Sequence, residues 1–405
     1  MTNTQADIAP PDQQLSKQKK PPLSKGKLLT ALMRLYGILV FALGLILLLL
    51  AHAHQPFAIW YAAYIYPAFP HTVGRLFGLV PFSVFEILLL LICLCLVTGL
   101  IYTIVRLSSA TGRKKLKSQT SKALRHLINI LAIVFLIFVL VAGINYNRES
   151  YADHLGISVQ DSALEDLLQL YHLLLARSEY LAGQINTDAN GHFLLTHKNL
   201  YPRAQQAMQD LHQLHGGLVS YFPRPKAPLL SRQLSYLRTA GFFAPWTLEA
   251  HYNSDIPGQS IPFTINHELA HLAGHMREDE ANFIAYLASR NTADIDFQYS
   301  ATYIALSYTL NALHRVIEPE QYRQLFALLP SQLQQDFAAA SAYWQSFQGP
   351  AAEVATRSND LYLRFNRQHD GVQSYGRMVD LLLAYYRSTD LWADFAINSY
   401  PQGRP

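Results

Sequence analysis

The residues best suited to chemistry lie in the pattern His267-Glu268-Leu-Ala-His271. Residues four apart share one face of a helix, so both histidines can offer a ring nitrogen to one metal ion. Glu268, next to the first histidine, is placed to act as general base for a water that the metal polarises. The bare five-residue pattern also occurs by chance in ordinary helices with two surface histidines, so its surroundings must decide.

A catalytic zinc ion needs a third protein ligand and one open position. His275 lies eight residues after His267, about 12 Å farther along a straight helix, which is too far for the same ion. Gly274 is typical of the residue that ends a helix and lets the chain turn back. Residues 278–286 then begin a second helix, and we predict Glu278 as the third ligand.

The second helix leaves two alternatives open. Acidic side chains in a first turn also complement the helix dipole without binding anything, which is the simpler explanation for Glu278 and Glu280. Glu280 is the other candidate for the third ligand. Asn282 lies one turn after Glu278, where its amide can hold a ligating histidine in place from behind.

The longer pattern HExxHxxGxxH fails because its third histidine position is Arg277. The site therefore resembles the His-His-Glu class of zinc peptidases, the gluzincins, whose second helix carries E-x-x-x-D or E-x-x-A-D. Here that stretch reads Glu278-Asp-Glu-Ala-Asn282, and Asn keeps a hydrogen bond but removes one charge.

A wider stretch resembles an uncharacterised bacterial family of membrane-anchored HExxH proteins. The resemblance rests on HYNSDIPGQSIPFTINHELAHLAGHMREDEANFIAYLA, on FQYSATYIALSYTLNAL and, more loosely, on VQSYGRMVDLLLAYY. It covers most of residues 130–390. It implies a zinc metallopeptidase with one Zn²⁺ bound by His267, His271 and Glu278 and with Glu268 as base, and it implies no particular substrate.

Peptide hydrolysis makes two further demands on the chain. An oxyanion donor is needed, usually a histidine or tyrosine, and Tyr252, Tyr299 and Tyr375 are candidates by position alone. Residues 247–253 (TLEAHYN) alternate in character and predict a short edge strand, to which an extended peptide can add. An ordinary loop is the alternative for this stretch.

The composition separates a membrane part from a polar part. Half of the residues are hydrophobic and only 15% are charged, against about 25% in soluble domains. A helix that crosses a bilayer needs about 20 apolar residues. Three apolar segments have about this length and contain neither Lys nor Arg: residues 35–51, 84–105 and 127–144. The sequence therefore predicts three transmembrane helices.

Basic residues in the connecting segments predict the orientation. Lys and Arg are frequent before the first span and between the second and third, whereas Arg75 stands alone between the first and second. This places the N-terminus inside and everything after the third span outside the cytoplasmic membrane of a bacterium. We predict a disordered tail over residues 1–27, a membrane domain over 28–146 and an extracytoplasmic domain over 147–405.

The domain after the third span is predicted to be mostly helical and gluzincin-like, so the fold class is mainly α. Period-3.6 patterns predict its helices, and Ser162 with Glu165 reads as a capping box. The predicted helices cover residues 162–184, 201–215, 231–240, 265–273, 278–289, 300–314, 319–329, 331–347 and 375–386.

Three functions compete at this point. The first is a membrane-anchored zinc peptidase that cuts peptides or proteins outside the membrane, and the second is a non-catalytic metal-binding scaffold or sensor of the cell envelope. The third is a transport component in which Glu86, at the edge of the second span, matters. Glu268 favours the first, because a structural metal site needs no acid beside its first ligand. The basic residues adjoin apolar runs, so we expect the bilayer and not nucleic acid as partner.

Overall fold

The computed structural model describes residues 25–160, 162–365 and 377–389, and over these residues the chain is mainly helical, as predicted. The predicted tail lies almost entirely outside the described residues. The α-helices within this part of the chain are α1 Lys25–Ala53, α2 Gln55–Tyr64, α3 Arg75–Gly78, α4 Val84–Leu107, α5 Ala110–Phe138, α6 Tyr151–His154, α7 Leu164–Ala182, α8 Leu200–His215, α9 Ser231–Tyr236, α10 Ile261–Leu272, α11 Glu278–Asn291, α12 Ile295–Leu313, α13 Pro319–Ala327, α14 Ser331–Gln345, α15 Pro350–Phe365 and α16 Met378–Arg387.

Among the described residues, three helices are long and apolar enough to cross a membrane, in agreement with the predicted number of spans. These candidate spans are Leu35–Ala53, Val84–Leu107 and Ala110–Asn147. The third begins earlier than the apolar run, because the basic segment before it is itself helical and joins α5. Lys, Arg, Leu and Gln have high helix propensity, so the helix continues through this segment. Beyond α5 the helix continues through one π turn, Val139–Gly143.

The part of the chain after the third candidate span is called here the C-terminal domain. It holds the start of the second candidate span through buried polar groups. The backbone N–H groups of Val84 and Phe85 donate to the Glu249 carboxylate at 3.0 and 2.8 Å, which caps α4 and complements its dipole. The Glu86 carboxylate accepts from the N–H groups of Leu229 and Leu230 at 2.9 and 2.8 Å. Glu86 is therefore buried against this domain and joins it to the second span.

Lys226 completes this connection from inside the C-terminal domain. Its ammonium bonds to Glu249 and donates to the Phe77 carbonyl at 2.8 Å, and both charged side chains are almost fully buried. Burial opposes ionisation of Glu249, but Lys226 and the two amides of α4 outweigh it and lower the pKa of that carboxyl. The Glu249 carboxylate is thus stabilised as an anion, and neither side chain of the pair is exposed to water.

We expect Lys226→Met to destabilise the protein strongly. Removing one partner of a buried ion pair leaves the other charge uncompensated and costs about 3–5 kcal/mol. The measurement is thermal unfolding of the detergent-solubilised full chain, with Lys198→Met, at an exposed lysine, as the control. Lys226→Met combined with Glu249→Leu should lose less than the single change, and equal loss in both would contradict the ion-pair explanation.

The helices of the C-terminal domain mostly follow the predicted segments, but one predicted cap is wrong. The N-cap of α7 is Ala163, whose N–H donates to Asp166 at 3.1 Å. The Ser162 hydroxyl instead donates to Asp380 on α16. A partner from a distant helix has therefore replaced the local cap that Ser162 and Glu165 predicted.

The two strands among the described residues, β1 Gly241–Ala244 and β2 Glu249–Tyr252, form a β-hairpin. The predicted strand is β2, but it is not the free edge. β1 pairs with it antiparallel on one side, and Lys226 bridges to His251 on the other. The free edge belongs to β1, which begins directly after the predicted helix over residues 231–240 and ends before Pro245, in a stretch for which the sequence predicted no element.

Helix α10, which carries the HExxH residues, lies at the centre of the C-terminal domain. It packs against α8, α11, α12 and both strands. Every residue of α10 except His267 is buried, and a helix that is buried on all faces belongs to a core. The histidine that escapes full burial faces the cleft described next.

Candidate metal centre

A tight turn brings α11 back beside α10. The N–H of Gly274 donates to the His271 carbonyl at 2.9 Å and that of His275 to the Ala270 carbonyl at 3.1 Å, the two bonds of a Schellman motif. Gly274 has φ +92°, and a Cβ there would lie 2.9 Å from the Tyr66 ring. Glycine is therefore needed at the predicted helix end for two reasons: its positive φ, and the lack of space for a side chain beside Tyr66.

The turn brings together His267, His271 and Glu278. One ligand atom from each lies within 4.8 Å of the other two. His267 Nε2 is 3.2 Å from one carboxylate oxygen of Glu278, and His271 Nε2 is 3.7 Å from the other. The three side chains that the sequence predicted as ligands therefore share one small space, although they come from two helices.

Each histidine is held from behind by its other ring nitrogen. His267 Nδ1 pairs with Asn282 Oδ1 at 2.8 Å, and His271 Nδ1–H donates to the His275 carbonyl at 2.8 Å. Both Nε2 atoms are thereby turned towards Glu278. Ligating histidines are oriented in this way by a carboxylate, carbonyl or amide behind them, so the donor set fits a zinc ion and Asn282 has the position predicted for it.

The electrostatics of the cluster favour a cation between these side chains. Burial would raise the pKa of Glu278, but His271 and His267 lower it well below its ordinary range. Burial would likewise lower the pKa of His271, but the Glu278 carboxylate raises it to about 9. The carboxylate is thus strongly stabilised as an anion, and it attracts positive charge from either histidine.

Glu268 lies beside this cluster in a different environment. Burial raises its pKa to about 7, against the opposing effect of the two histidines. Its Oε2 is buried and has no hydrogen-bond partner among the described residues. A buried carboxyl oxygen without a partner is costly unless a ligand or water reaches it, so this atom is directed at a place where a polar group is expected.

The free edge of β1 passes directly over Glu268. A Cβ added to Gly241 would lie 2.6 Å from Glu268 Oε1 and 2.8 Å from the His251 carbonyl. Asn253 N–H donates to the Ala240 carbonyl at 2.7 Å, and bonded pairs alternate along an antiparallel ladder. The backbone groups of Gly241 and Phe243 therefore point away from β2, along the open edge.

We expect Gly241→Ala to displace the Glu268 side chain and to lower any hydrolysis that depends on it. The new methyl group meets a backbone carbonyl on one side, so the Glu268 side chain has to move. Hydrolysis, metal content and thermal unfolding of this variant should be compared with those of Ala240→Gly, a neighbouring change that adds no atoms. An activity drop of tenfold or more with metal retained is expected, and undiminished activity would mean that β1 does not approach Glu268 this closely.

The cluster opens into a cleft of about 740 Å³. Its walls come from β1, from α10, from α12 and α15 and from the end of the third candidate span. Residues that line it include Phe138, Ala142, Tyr146, Gly241, Phe242, Trp246, His267, Glu268, Glu278 and Tyr308.

The other predicted site residues lie elsewhere. Glu280 bonds to Arg277 and lies 3.4 Å from His275, so it is outside the cluster. The Tyr252 hydroxyl donates to Tyr201, and that of Tyr299 donates to Asp336. Neither of these tyrosines lines the cleft, and Tyr375 lies outside the described residues.

The sequence analysis missed two tyrosines that do line the cleft. Tyr308 on α12 lies against Asn282 and Glu278, and Tyr146 ends the third candidate span. Either is better placed to donate to a substrate in the cleft than Tyr252 or Tyr299. A signal for Tyr146 existed, because aromatic residues at the end of a span are common, but that signal indicates the membrane interface and not a site.

Fold and site together define a mainly helical protein with candidate membrane spans and a His-His-Glu cluster in a cleft. The chain belongs to the family described as "Protein of unknown function (DUF3810)", whose model matches residues 61–383. The predicted membership in an uncharacterised family is confirmed at this level. Comparison with curated proteins and with solved structures finds no match.

Proposed function

We propose that the protein is a membrane-anchored zinc-dependent peptidase that hydrolyses peptide or protein substrates outside the cytoplasmic membrane. One observation carries the proposal. A donor set suited to zinc lies next to a buried carboxyl with an unpartnered oxygen, in a cleft that also has an open strand edge. A structural metal site needs only the first of these three features.

Each residue has a distinct part in this function. His267, His271 and Glu278 would hold the zinc ion, which supplies a Lewis acid that polarises a carbonyl and makes water more acidic. Glu268 would take the proton of the attacking water and pass it to the leaving amine. Its buried Oε2, which has no hydrogen-bond partner among the described residues, is free to accept that proton.

The edge of β1 would position the substrate. An extended peptide can pair with the outward backbone groups of Gly241 and Phe243, as in β-strand addition. Because Gly241 touches Glu268, a peptide on this edge would have its backbone close to the proposed base. On this proposal the strand-addition site would be β1 and not the predicted residues 247–253.

The proposed location outside the membrane makes a separate prediction. A reporter that is active only in an oxidising, external compartment should be active when fused after Pro405. The same reporter fused after Ser108, between the second and third spans, should be inactive, because the flanking Lys and Arg keep that segment inside. Activity of the Ser108 fusion together with inactivity of the Pro405 fusion would reverse the orientation.

The proposal as a whole is tested on the full chain purified in detergent. Zinc content is measured first, and a broad peptide library is then digested and read by mass spectrometry, with Glu268→Gln as the matched control. Cleavage that depends on Glu268 supports the peptidase. Zinc binding with identical digests from both proteins favours the scaffold function.

A further inference from the structure

One wall of the cleft is built by a candidate membrane helix. Phe138, Ala142 and Tyr146 recur every four residues along the third span and all line the cleft. The π turn Val139–Gly143 follows Phe138 and contains Ala142, and such insertions are frequent at functional sites because they displace side chains from regular positions. The cluster and the span therefore share a single cavity.

The exposed apolar side chains of this span, which are suited to face lipid, end where the cleft begins. Leu127, Ile130 and Ile133 are exposed, whereas Val139 and Ala142 are buried, and the π turn that contains these two packs against α1. Between these two regions, the Trp246 indole N–H donates to the Val134 carbonyl at 3.2 Å. Val134 is one turn, about 6 Å, before Phe138, so the apolar exposed surface comes within a turn of the cleft wall.

The second span leaves the C-terminal domain beside the same cleft. Phe85, near its start, stacks on Trp246 with ring centroids 5.8 Å apart and packs against Phe242, also at 5.8 Å. From there every residue from 87 to 100 is exposed, as expected of a helix that faces lipid. Trp246 and Phe242 line the cleft, so its rim is in direct contact with two spans.

Exposed apolar side chains of the C-terminal domain extend this surface. Leu229 is 83% exposed and Leu230 is 39% exposed, and both are fixed to the start of the second span through Glu86. Trp246 is 38% exposed. Large apolar side chains clustered beside membrane spans, with a tryptophan among them, are typical of a surface that rests in the bilayer interface.

We propose that the cleft takes polypeptides that are themselves anchored in the same membrane and cuts them close to the anchor. This inference rests on the proposed peptidase function and names its substrate class. The shared chemistry is an apolar anchor, either a transmembrane helix or an acyl chain, followed by a few extended residues. A peptide with such an anchor diffuses within the bilayer and meets the rim of the cleft at the level of Trp246 and Phe138. A soluble peptide has to approach this apolar rim from water.

The strand edge gives the expected distance of the cut from the anchor. β1 starts at Gly241 beside Glu268, and Trp246 follows two residues after its end. An extended chain rises about 3.3 Å per residue, so about 16 Å separate these two points at most. A peptide lying along this edge needs roughly five residues between the membrane-facing rim and the proposed base, and cuts should fall within roughly ten residues of the anchor.

The test uses the full chain with zinc in phospholipid vesicles and one library of randomised decapeptides presented in four ways. The library is attached directly to a transmembrane helix, attached directly to a palmitoyl chain, attached to the same palmitoyl chain through a rigid Pro-rich spacer, or free in solution. A spacer of about 15 residues holds the library about 45 Å from the bilayer. Surface density is matched among the anchored forms, so that concentration at the membrane cannot explain a difference between them.

We expect the directly anchored libraries to be cut at least tenfold faster than the spaced one, with cuts clustered near the anchor. Faster cleavage of only the helix-anchored or only the acylated form identifies the source of the anchor and supports the inference. Equal rates for direct, spaced and free libraries would overturn it and leave the peptidase function intact. No cleavage in any arm would overturn the peptidase function and the inference together.

A binding measurement separates substrate selection from turnover. Glu268→Gln in nanodiscs should retain the directly anchored library, read by photocrosslinking and mass spectrometry, and crosslinks should appear on β1 and on the end of the third span. The spaced library should give at least tenfold fewer crosslinks there. Equal crosslinking of the two libraries would contradict the inference without any reference to hydrolysis.

Discussion

Glu268→Gln should lower hydrolysis by about 10²–10⁴-fold, the range attributed to a general base, while zinc content stays close to that of the unchanged protein. The amide keeps the shape of the carboxylate but cannot take a proton. The side chain follows His267 directly on α10 and lies beside the cluster, so it contributes little to holding the ion. The measurement is the rate on the best library substrate, together with metal analysis of the same samples.

Two controls make this result specific to a base. Glu280→Gln alters a buried carboxylate on the neighbouring helix that bonds to Arg277 and not to the cluster, so a loss of hydrolysis limited to Glu268→Gln cannot come from removing any buried charge. Thermal unfolding shows whether each variant is folded. Full hydrolysis by Glu268→Gln would remove Glu268 from the mechanism.

His267→Ala and His271→Ala should each reduce bound zinc from about one ion per chain to almost none after dialysis against a weak chelator. A tetrahedral site that loses one of three protein ligands keeps too few donors for stable binding. Glu278→Ala should have the same effect, because its two oxygens face both Nε2 atoms. Hydrolysis should fall with the metal, and added zinc should not restore it at micromolar concentration.

The choice of third ligand is tested by the same series. Glu280→Ala should keep full zinc content, and Asn282→Ala should weaken binding about 10–100-fold, the usual cost of losing a group that orients a ligand. Zinc retained by Glu278→Ala but lost from Glu280→Ala would show that the third ligand was chosen wrongly. Zinc bound equally by all variants would mean that the cluster is not the metal site.

Several features could be predicted because their causes are local. The spacing of His267 and His271 puts both on one helical face, and Gly274 marks the one place where the chain can reverse. Glu278 and Asn282 follow at the spacing of one turn. The family match and the three apolar helices could also be recognised from runs of neighbouring residues, without knowledge of contacts between distant segments.

Other predictions were incomplete because distant partners replaced local ones. Ser162 was predicted to cap α7, and it bonds to Asp380 on another helix. Residues 247–253 were predicted to give the free edge, but Lys226 pairs with β2 from outside the hairpin. Tyr252 and Tyr299 were reasonable donors by position, and both are buried with partners of their own.

The sequence by itself determined the three apolar helices and the helix–turn–helix that carries the cluster, and it named His267, His271 and Glu278 with Glu280 as the alternative third ligand. Periodicity, chain reversal at a glycine and apolar length act over a few residues, so they can be read from the chain directly. Only the tertiary structure decided what surrounds the cluster. Gly241 lies against Glu268, and Phe138 and Tyr146 wall the cleft, because packing joins segments that are far apart in sequence. No local pattern encodes such contacts, since they depend on how the hairpin and the third span both pack around the buried helix α10.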